Sequence, residues 1–243
     1  MCRHLGYVGP TRSVHDVLTA GAHSLARQTW APNDMRGGGT INADGFGVAW
    51  WGNEGQGRYR STQPMWSDPA VNETLPSIRC GAVLAAVRSA TESMPVETNA
   101  CAPFADGRWA FSHNGVVRGW PDSLEKWSEQ LPVRDLLELE APTDSAVLWL
   151  LLRHRLREQD PIPALTSLLR DVETTAPGSR LNLLLGDGHE MWASAWDHAL
   201  SVLVTEDMAV IASEPYDDDP NWQSVPDRHF VKARPGHLII TPI

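Results

Sequence analysis

The sequence predicts an α+β fold, with strands, then two or three central helices, then more strands. Two sheets sandwiching helix layers, or sandwiched by them, accommodate that order. Three observations carry the prediction. Short apolar runs bounded by Gly, Pro, Asn or Asp recur at both ends of the chain. The longer helical patterns are concentrated in the middle, between residues 122 and 174. No βαβα alternation, GxGxxG or P-loop is present, which argues against a doubly wound sheet. A chain of 243 residues, 42% apolar and 21% charged, has enough material for one layered core. It has no repeat and no linker-like stretch, so residues 1–243 are expected to form one domain.

The elements follow in order. Residues 3–8 read as a short strand. Ser13 is a candidate N-cap for a helix over 13–28, with Val14, Val17, Leu18 and Leu25 at helical spacing. Gly37-Gly38-Gly39 reads as a flexible turn. Phe46–Trp51, Gly81–Val87 and Trp109–Ser112 read as buried strands. Helices are expected over 122–131 and 144–158, and from Pro161 or Pro163 to about residue 174. Leu181–Gly186, Met191–Ala195, Leu200–Thr205, Met208–Ser213 and His237–Thr241 complete the list as short strands.

Charge and cysteine usage narrow the function. Twenty Lys+Arg against thirty Asp+Glu give a formal charge of −10, which excludes a general phosphate-backbone binder. No run of about 18 apolar residues is present, so no membrane partner is expected. The start, Met1-Cys2-Arg3-His4, lacks a signal-peptide core, and a cytoplasmic location is expected. Cys2, Cys80 and Cys101 form no CxxC and cannot pair evenly, so neither a disulfide framework nor a structural zinc site is expected.

Four features have chemistry in reach. Removal of Met1 would give Cys2 a thiol and a free α-amine, and such an amine titrates near 7.7–8.0. The bland alternative is an incidental cysteine at a frayed end. Ser112-His113-Asn114-Gly115 follows an apolar strand, and an Asn-Gly pair there supplies an amide and a backbone N–H to an oxyanion, or else a turn. Arg88 ends an apolar strand and needs an anion, either a substrate carboxylate or an internal partner. Asp144 reads equally as the N-cap of the helix that follows and as a carboxylate for a substrate ammonium.

Together these pieces resemble a class II glutamine amidotransferase domain of the N-terminal nucleophile hydrolase superfamily. The match runs in the family's order through Met1-Cys2, Asp44-Gly45-Phe46-Gly47, Arg88-Ser89-Ala90-Thr91, Asn99 to Phe104, Ser112-His113-Asn114-Gly115 and Thr143-Asp144-Ser145. Met1 to Tyr7, Asn42 to Val48 and Ser213-Glu214-Pro215 are similar to the stand-alone γ-glutamyl amidohydrolases of ergothioneine biosynthesis. One departure is Glu92, where many amidotransferases with a Trp in this motif have His. The resemblance implies a four-layer αββα sandwich with two mainly antiparallel sheets between helix layers.

The resemblance also implies a reaction. Cys2 attacks a γ-glutamyl carbonyl, its α-amine acts as base, and Asn114 with the Gly115 N–H holds the oxyanion. Arg88 takes the glutamyl α-carboxylate and Asp144 the α-ammonium, with Thr91 as helper. His113 belongs to the substrate site as a support for Asn114, and Arg3 helps to shape it. No metal and no organic cofactor is called for; the partner is a small γ-glutamyl molecule. The branch removes the γ-glutamyl group from γ-glutamyl-hercynylcysteine sulfoxide. That leaving group carries a trimethylammonium, and Trp30, Trp51, Trp66 and Trp120 are candidates to meet it. The chain ends at Ile243 with no synthase domain behind it, which favours hydrolysis over ammonia transfer. Alternatives are a γ-glutamyl peptidase on glutathione-like compounds, a glutaminase subunit for a separate synthase, and a catalytically dead metabolite-binding subunit. Asp217-Asp218-Asp219 reads as a solvated loop.

Overall fold

The computed structural model describes residues 2–34, 41–91 and 94–243. The Gly37-Gly38-Gly39 turn and Glu92 lie outside these residues.

The first strand, β1 (Arg3–Ser13), is longer than expected and runs into helix α1 (Val14–Thr19). The expected Ser13 cap is present, with its side chain accepting from the Asp16 N–H. The helix stops at Thr19, not residue 28, because the chain turns at Gly21 with φ +88°. A Cβ there would lie 2.2 Å from the Tyr216 carbonyl oxygen. Strands β2 (Phe46–Gly52) and β3 (Gly55–Ser61) follow as a hairpin. Helix α2 (Pro69–Glu73) leads to strand β4 (Arg79–Val87), then β5 (Phe104–Asp106) and β6 (Trp109–Val116). Four helices come next: α3 (Asp122–Ser128), α4 (Val133–Leu137), α5 (Asp144–Arg155) and α6 (Pro161–Thr175). The chain closes with β7 (Arg180–Gly186), β8 (Met191–Ala195), β9 (Ser201–Val204), β10 (Ala209–Ala212), β11 (Gln223–Ser224), β12 (His229–Arg234) and β13 (His237–Pro242).

Two antiparallel sheets result. One has the order β11-β9-β10-β1-β4-β2-β3, the other β13-β12-β8-β7-β6-β5. The layer order follows from three apolar clusters. Small residues of both sheets, among them Ala49, Ala82, Ala110, Ala193 and Ala209, fill the space between the sheets with Leu84, Leu184 and Ile211. Gly6 lies in this layer, where a Cβ would sit 2.5 Å from the Met191 Sδ, so its missing side chain leaves room for that methionine between the sheets. Leu5, Tyr7, Val83 and Val87 cover the outer face of the first sheet against Val14, Leu18 and Val71 of α1 and α2. On the outer face of the second sheet, Phe111 and Leu183 pack on α3, α5 and α6. The molecule is therefore the four-layer αββα sandwich that the resemblance implies.

Helix α5 is buried almost all round, from Asp144 to Leu152, because β6 lies on one side and α3 and α6 on others. Each fully buried leucine here contributes about 1.5–3 kcal/mol before chain entropy is counted. Its N-cap is Thr143, whose side chain accepts from the Ala146 N–H at 3.2 Å. This corrects the N-cap reading of Asp144, which is the first helical residue instead.

Candidate active site

Strand β1 sits in the middle of its sheet, between β4 and β10. Arg3 pairs with Val87 on one side, and Leu5 pairs with Ala212 on the other. Cys2 therefore lies where both neighbouring strands have just ended, with Arg88 and Ser89 on one flank and Ser213 to Pro215 on the other. Its Sγ is 3.8 Å from the Ser89 carbonyl oxygen, and the residue is half-buried. Alternation along β1 puts Cys2 on the face of His4 and Gly6, toward the second sheet.

The facing side chain is Asn114. The sequence reads Asn114-Gly115 as following a strand, but both are inside β6, which continues to Val116. Ser112 and Asn114 consequently point between the sheets, and His113 points to the helix layer. Asn114 is fully buried and donates through Nδ2 to the Ser213 Oγ at 3.0 Å; among the described residues its Oδ1 has no hydrogen-bond partner. The same Ser213 Oγ accepts from the His4 N–H at 3.0 Å, and the His4 carbonyl accepts from the Ser213 N–H at 3.0 Å. One serine thus ties the start of β1, the end of β10 and the Asn114 amide together. His4 completes the group through Nδ1, 3.3 Å from the Ser112 Oγ. Burial, with His198, His113 and Arg3 nearby, pushes the His4 pKa down to about 3, so its ring is neutral.

Gly115 has no room for a side chain. A Cβ would lie 1.8 Å from the Arg180 carbonyl oxygen and 2.6 Å from the His113 Nε2. His113 is buried, with Nε2 2.9 Å from the Arg180 carbonyl and Nδ1 3.0 Å from the Ser145 Oγ of α5. These contacts fix the β6–β7 pair against α5.

Arg88 is buried at the end of β4, and its Nη1 donates to the Pro95 carbonyl at 2.8 Å. Among the described residues no carboxylate pairs with it. Asp144 accepts from the Val117 N–H at 2.9 Å and from the Ser145 N–H at 2.7 Å, joining α5 to the end of β6. An open cleft of about 730 Å³ runs between these two groups, lined by Ser89, Thr91, Gly115, Val117 and Trp120. Arg88 stands one residue behind its wall, and Asp144 one hydrogen bond behind. Thr91 is exposed at the same cleft. The Asp44–Gly47 turn supports this end of β4, because Asp44 Oδ2 accepts from the Ala90 N–H at 2.7 Å.

Arg3 is almost fully buried on the outer side. It donates to the Asp34 carbonyl and lies 3.9 Å from Glu214. Glu214 accepts from the Asn33 and Asp34 backbone N–H groups at 2.8–3.0 Å, so it anchors that loop beside Cys2. Nothing in the sequence itself gives Ser213-Glu214-Pro215 a role. Only the fold, which brings residue 213 beside residue 4, supplies one.

Trp120 lines the cleft; Trp30 and Trp66 pack edge to face at 5.8 Å, and Trp51 bonds the Arg108 carbonyl. Burial pushes the thiols of Cys80 and Cys101 up to about 11. Among the described residues no group of three His, Cys, Asp or Glu side chains is placed to hold a metal ion, and no helix is long and apolar enough to cross a membrane.

A family model of glutamine amidotransferases class II matches residues 28–207, and the chain belongs to that family. More particularly, it is 40% identical to the γ-glutamyl-hercynylcysteine sulfoxide hydrolase of Mycolicibacterium smegmatis over 245 residues, covering 100% of both chains. It is 37% identical to the hydrolase of the same name from Mycobacterium tuberculosis, covering 100% of this chain and 97% of that one. Among solved structures, a glutamine aminotransferase class II domain protein from Silicibacter pomeroyi superposes with a TM-score of 0.70 at 25% identity, covering 99% of each chain. Glutamine phosphoribosylpyrophosphate amidotransferase from B. subtilis shares the fold at a TM-score of 0.69 and 16% identity; 99% of this chain covers 49% of that one.

Proposed function

We propose that this protein, as one domain over residues 1–243, hydrolyses the γ-glutamyl amide of γ-glutamyl-hercynylcysteine sulfoxide and releases glutamate. The observation that carries the reading is the 40% identity to a hydrolase of that name along the whole of both chains. The position of Cys2 beside Arg88, Ser213 and the cleft supports it.

The chemistry follows from the residues. With Met1 removed, the Cys2 α-amine takes the thiol proton and the sulfur attacks the γ-carbonyl carbon. The developing oxyanion is held by the Asn114 amide and the Gly115 N–H. As the tetrahedral intermediate collapses, the C–N bond breaks and the leaving amine receives the proton. Water then attacks the thioester, returning the Cys2 thiol and freeing glutamate. Arg88 pairs with the substrate α-carboxylate, since among the described residues its buried guanidinium has a carbonyl partner and no carboxylate. Asp144 takes the α-ammonium with lone pairs left over from its backbone bonds, and Thr91 hydrogen-bonds at the mouth. Every charge in this scheme is supplied by the chain, with no cofactor and no nucleic-acid or membrane partner. Three unpaired thiols fit a cytoplasmic location.

The test is glutamate release from the sulfoxide, with glutathione and glutamine alongside. Preference for the sulfoxide, absent in Cys2→Ala, is the expected result. Equal or faster turnover of glutathione or glutamine overturns the substrate; undiminished turnover by Cys2→Ala overturns the nucleophile.

A further inference from the structure

Ser213 follows β10 and is completely buried, as are His4 and Asn114. Its hydroxyl is shared by the strand that continues from Cys2 and by the amide assigned to the oxyanion. A hydroxyl has one hydrogen and two lone pairs. The His4 N–H donates to the Ser213 Oγ at 3.0 Å and the Asn114 Nδ2 donates to it at 3.0 Å, so both lone pairs are taken. The hydrogen goes to the His4 carbonyl at 3.4 Å. That carbonyl also accepts from the Ser213 N–H at 3.0 Å, so residues 4 and 213 are joined through backbone and side chain together.

This arrangement selects one orientation of the Asn114 amide. The His4 N–H can only donate, and the Oγ hydrogen is given to the His4 carbonyl. The remaining lone pair therefore accepts the Nδ2 end of the amide. Turned over, the amide would set Oδ1 against an oxygen with no hydrogen left for it, which is costly at full burial. Nδ2 carries two hydrogens. Ser213 takes one, and the other stays available for an oxyanion. The contact also sets a distance. His4 comes two residues after Cys2, and Asn114 belongs to the other sheet. The hydroxyl between them fixes the gap between nucleophile and donor.

We propose that Ser213 is a positioning residue of the reaction, which acts through Asn114 by holding that amide with Nδ2 toward the developing oxyanion. The inference rests on the scheme above, in which Cys2 is the nucleophile and Asn114 an oxyanion donor. Ser213 touches no reacting atom in that scheme. A donor already in place stabilises charge without reorienting as the charge develops, and an amide free to turn over loses that advantage. The gain is realised only in the transition state. It belongs to kcat, not to the binding of glutamate.

A double-mutant cycle over Ser213→Ala and Asn114→Ala tests the role, with γ-glutamyl-p-nitroanilide and the sulfoxide as substrates. Ser213→Ala is expected to lower kcat about 10- to 100-fold, with KM and the inhibition constant of glutamate kept within about twofold. Added to Asn114→Ala, the same change is expected to lower kcat by less than about twofold, because the amide it aims is gone. A serine that only braced the fold would lower kcat by the same factor in both backgrounds. Ser213→Thr and Ser213→Val guard against misfolding of the alanine variant. Both are β-branched and of similar volume, so crowding is common to them and the hydroxyl alone separates them. Ser213→Thr is expected to keep a kcat at least about tenfold above that of Ser213→Val. Full kcat in Ser213→Ala, an equal loss in both backgrounds, or equal kcat in the threonine and valine variants overturns the role. Failure of the underlying scheme shows separately, as undiminished kcat in Asn114→Ala alone.

Discussion

At the residue scale, the proposed chemistry divides between groups that touch substrate and groups that aim them. Asn114→Ala is expected to lower kcat by about 10²–10³ with little change in KM, because the lost donor acts on charge that exists only in the transition state. Steady-state kinetics on the sulfoxide checks this; a change confined to KM contradicts it. His4 predicts a pH effect. A solvated histidine titrates near 6.5, whereas burial holds His4 at about 3. The unfolded chain therefore takes up the proton first, and stability falls as pH drops from 6.5 toward 3. The slope reaches about 1.4 kcal/mol per pH unit, and no contribution to it remains above the unfolded value. Urea midpoints between pH 7 and 5 should fall more steeply for the wild type than for His4→Gln. Residue type and local context single out Cys2, Arg88, Asn114 and Asp144 as candidates, but each also has an ordinary structural reading, and only the family resemblance selects the proposed roles. The Ser213 hydroxyl and the neutral His4 were not legible in the sequence, since their contacts join residues more than 100 positions apart.

At the element scale, the site depends on where β6 and α5 are held. Gly115→Ala keeps the backbone N–H but drives a Cβ to 1.8 Å from the Arg180 carbonyl, so β6 and β7 must part. A loss of at least about 1–3 kcal/mol is expected, together with a lower kcat. Leu148→Ala, in the fully buried middle of α5, is expected to cost about 2–5 kcal/mol while kcat at 25 °C is kept. Denaturant unfolding beside kinetics on the same samples separates the two. A stable Gly115→Ala enzyme with full kcat would remove the steric account. Most strands with apolar, buried faces were readable from the pattern, but β12, with Phe230, Val231 and Ala233 buried, was missed. Edge strand β3 was not readable, because Arg58 and Arg60 of Gly55–Ser61 use their side chains on Glu140 and give no apolar alternation. Helix α4, five residues with Val133 and Leu137 exposed, has no amphipathic period to read.

At the scale of the whole molecule, two sheets meet through a layer in which alanines interleave with Leu, Ile and Val side chains. Cys2, the proposed nucleophile, immediately precedes the central strand β1; one cleft lies on the β4 side and a second cavity follows β10. Composition and periodicity left open which layers lie outside, because a strand buried on both faces looks the same in either arrangement; the family resemblance supplied that order. The central claim is that Cys2, freed of Met1, is the nucleophile for γ-glutamyl transfer to water. It is tested most directly by intact-mass and peptide mapping of the enzyme after reaction with a γ-glutamyl chloromethyl ketone. The account predicts a chain lacking Met1 and a single adduct on Cys2, with glutamate release lost in step with labelling. An active enzyme that retains Met1, or inactivation through an adduct on Cys80 or Cys101 with Cys2 unmodified, would contradict it.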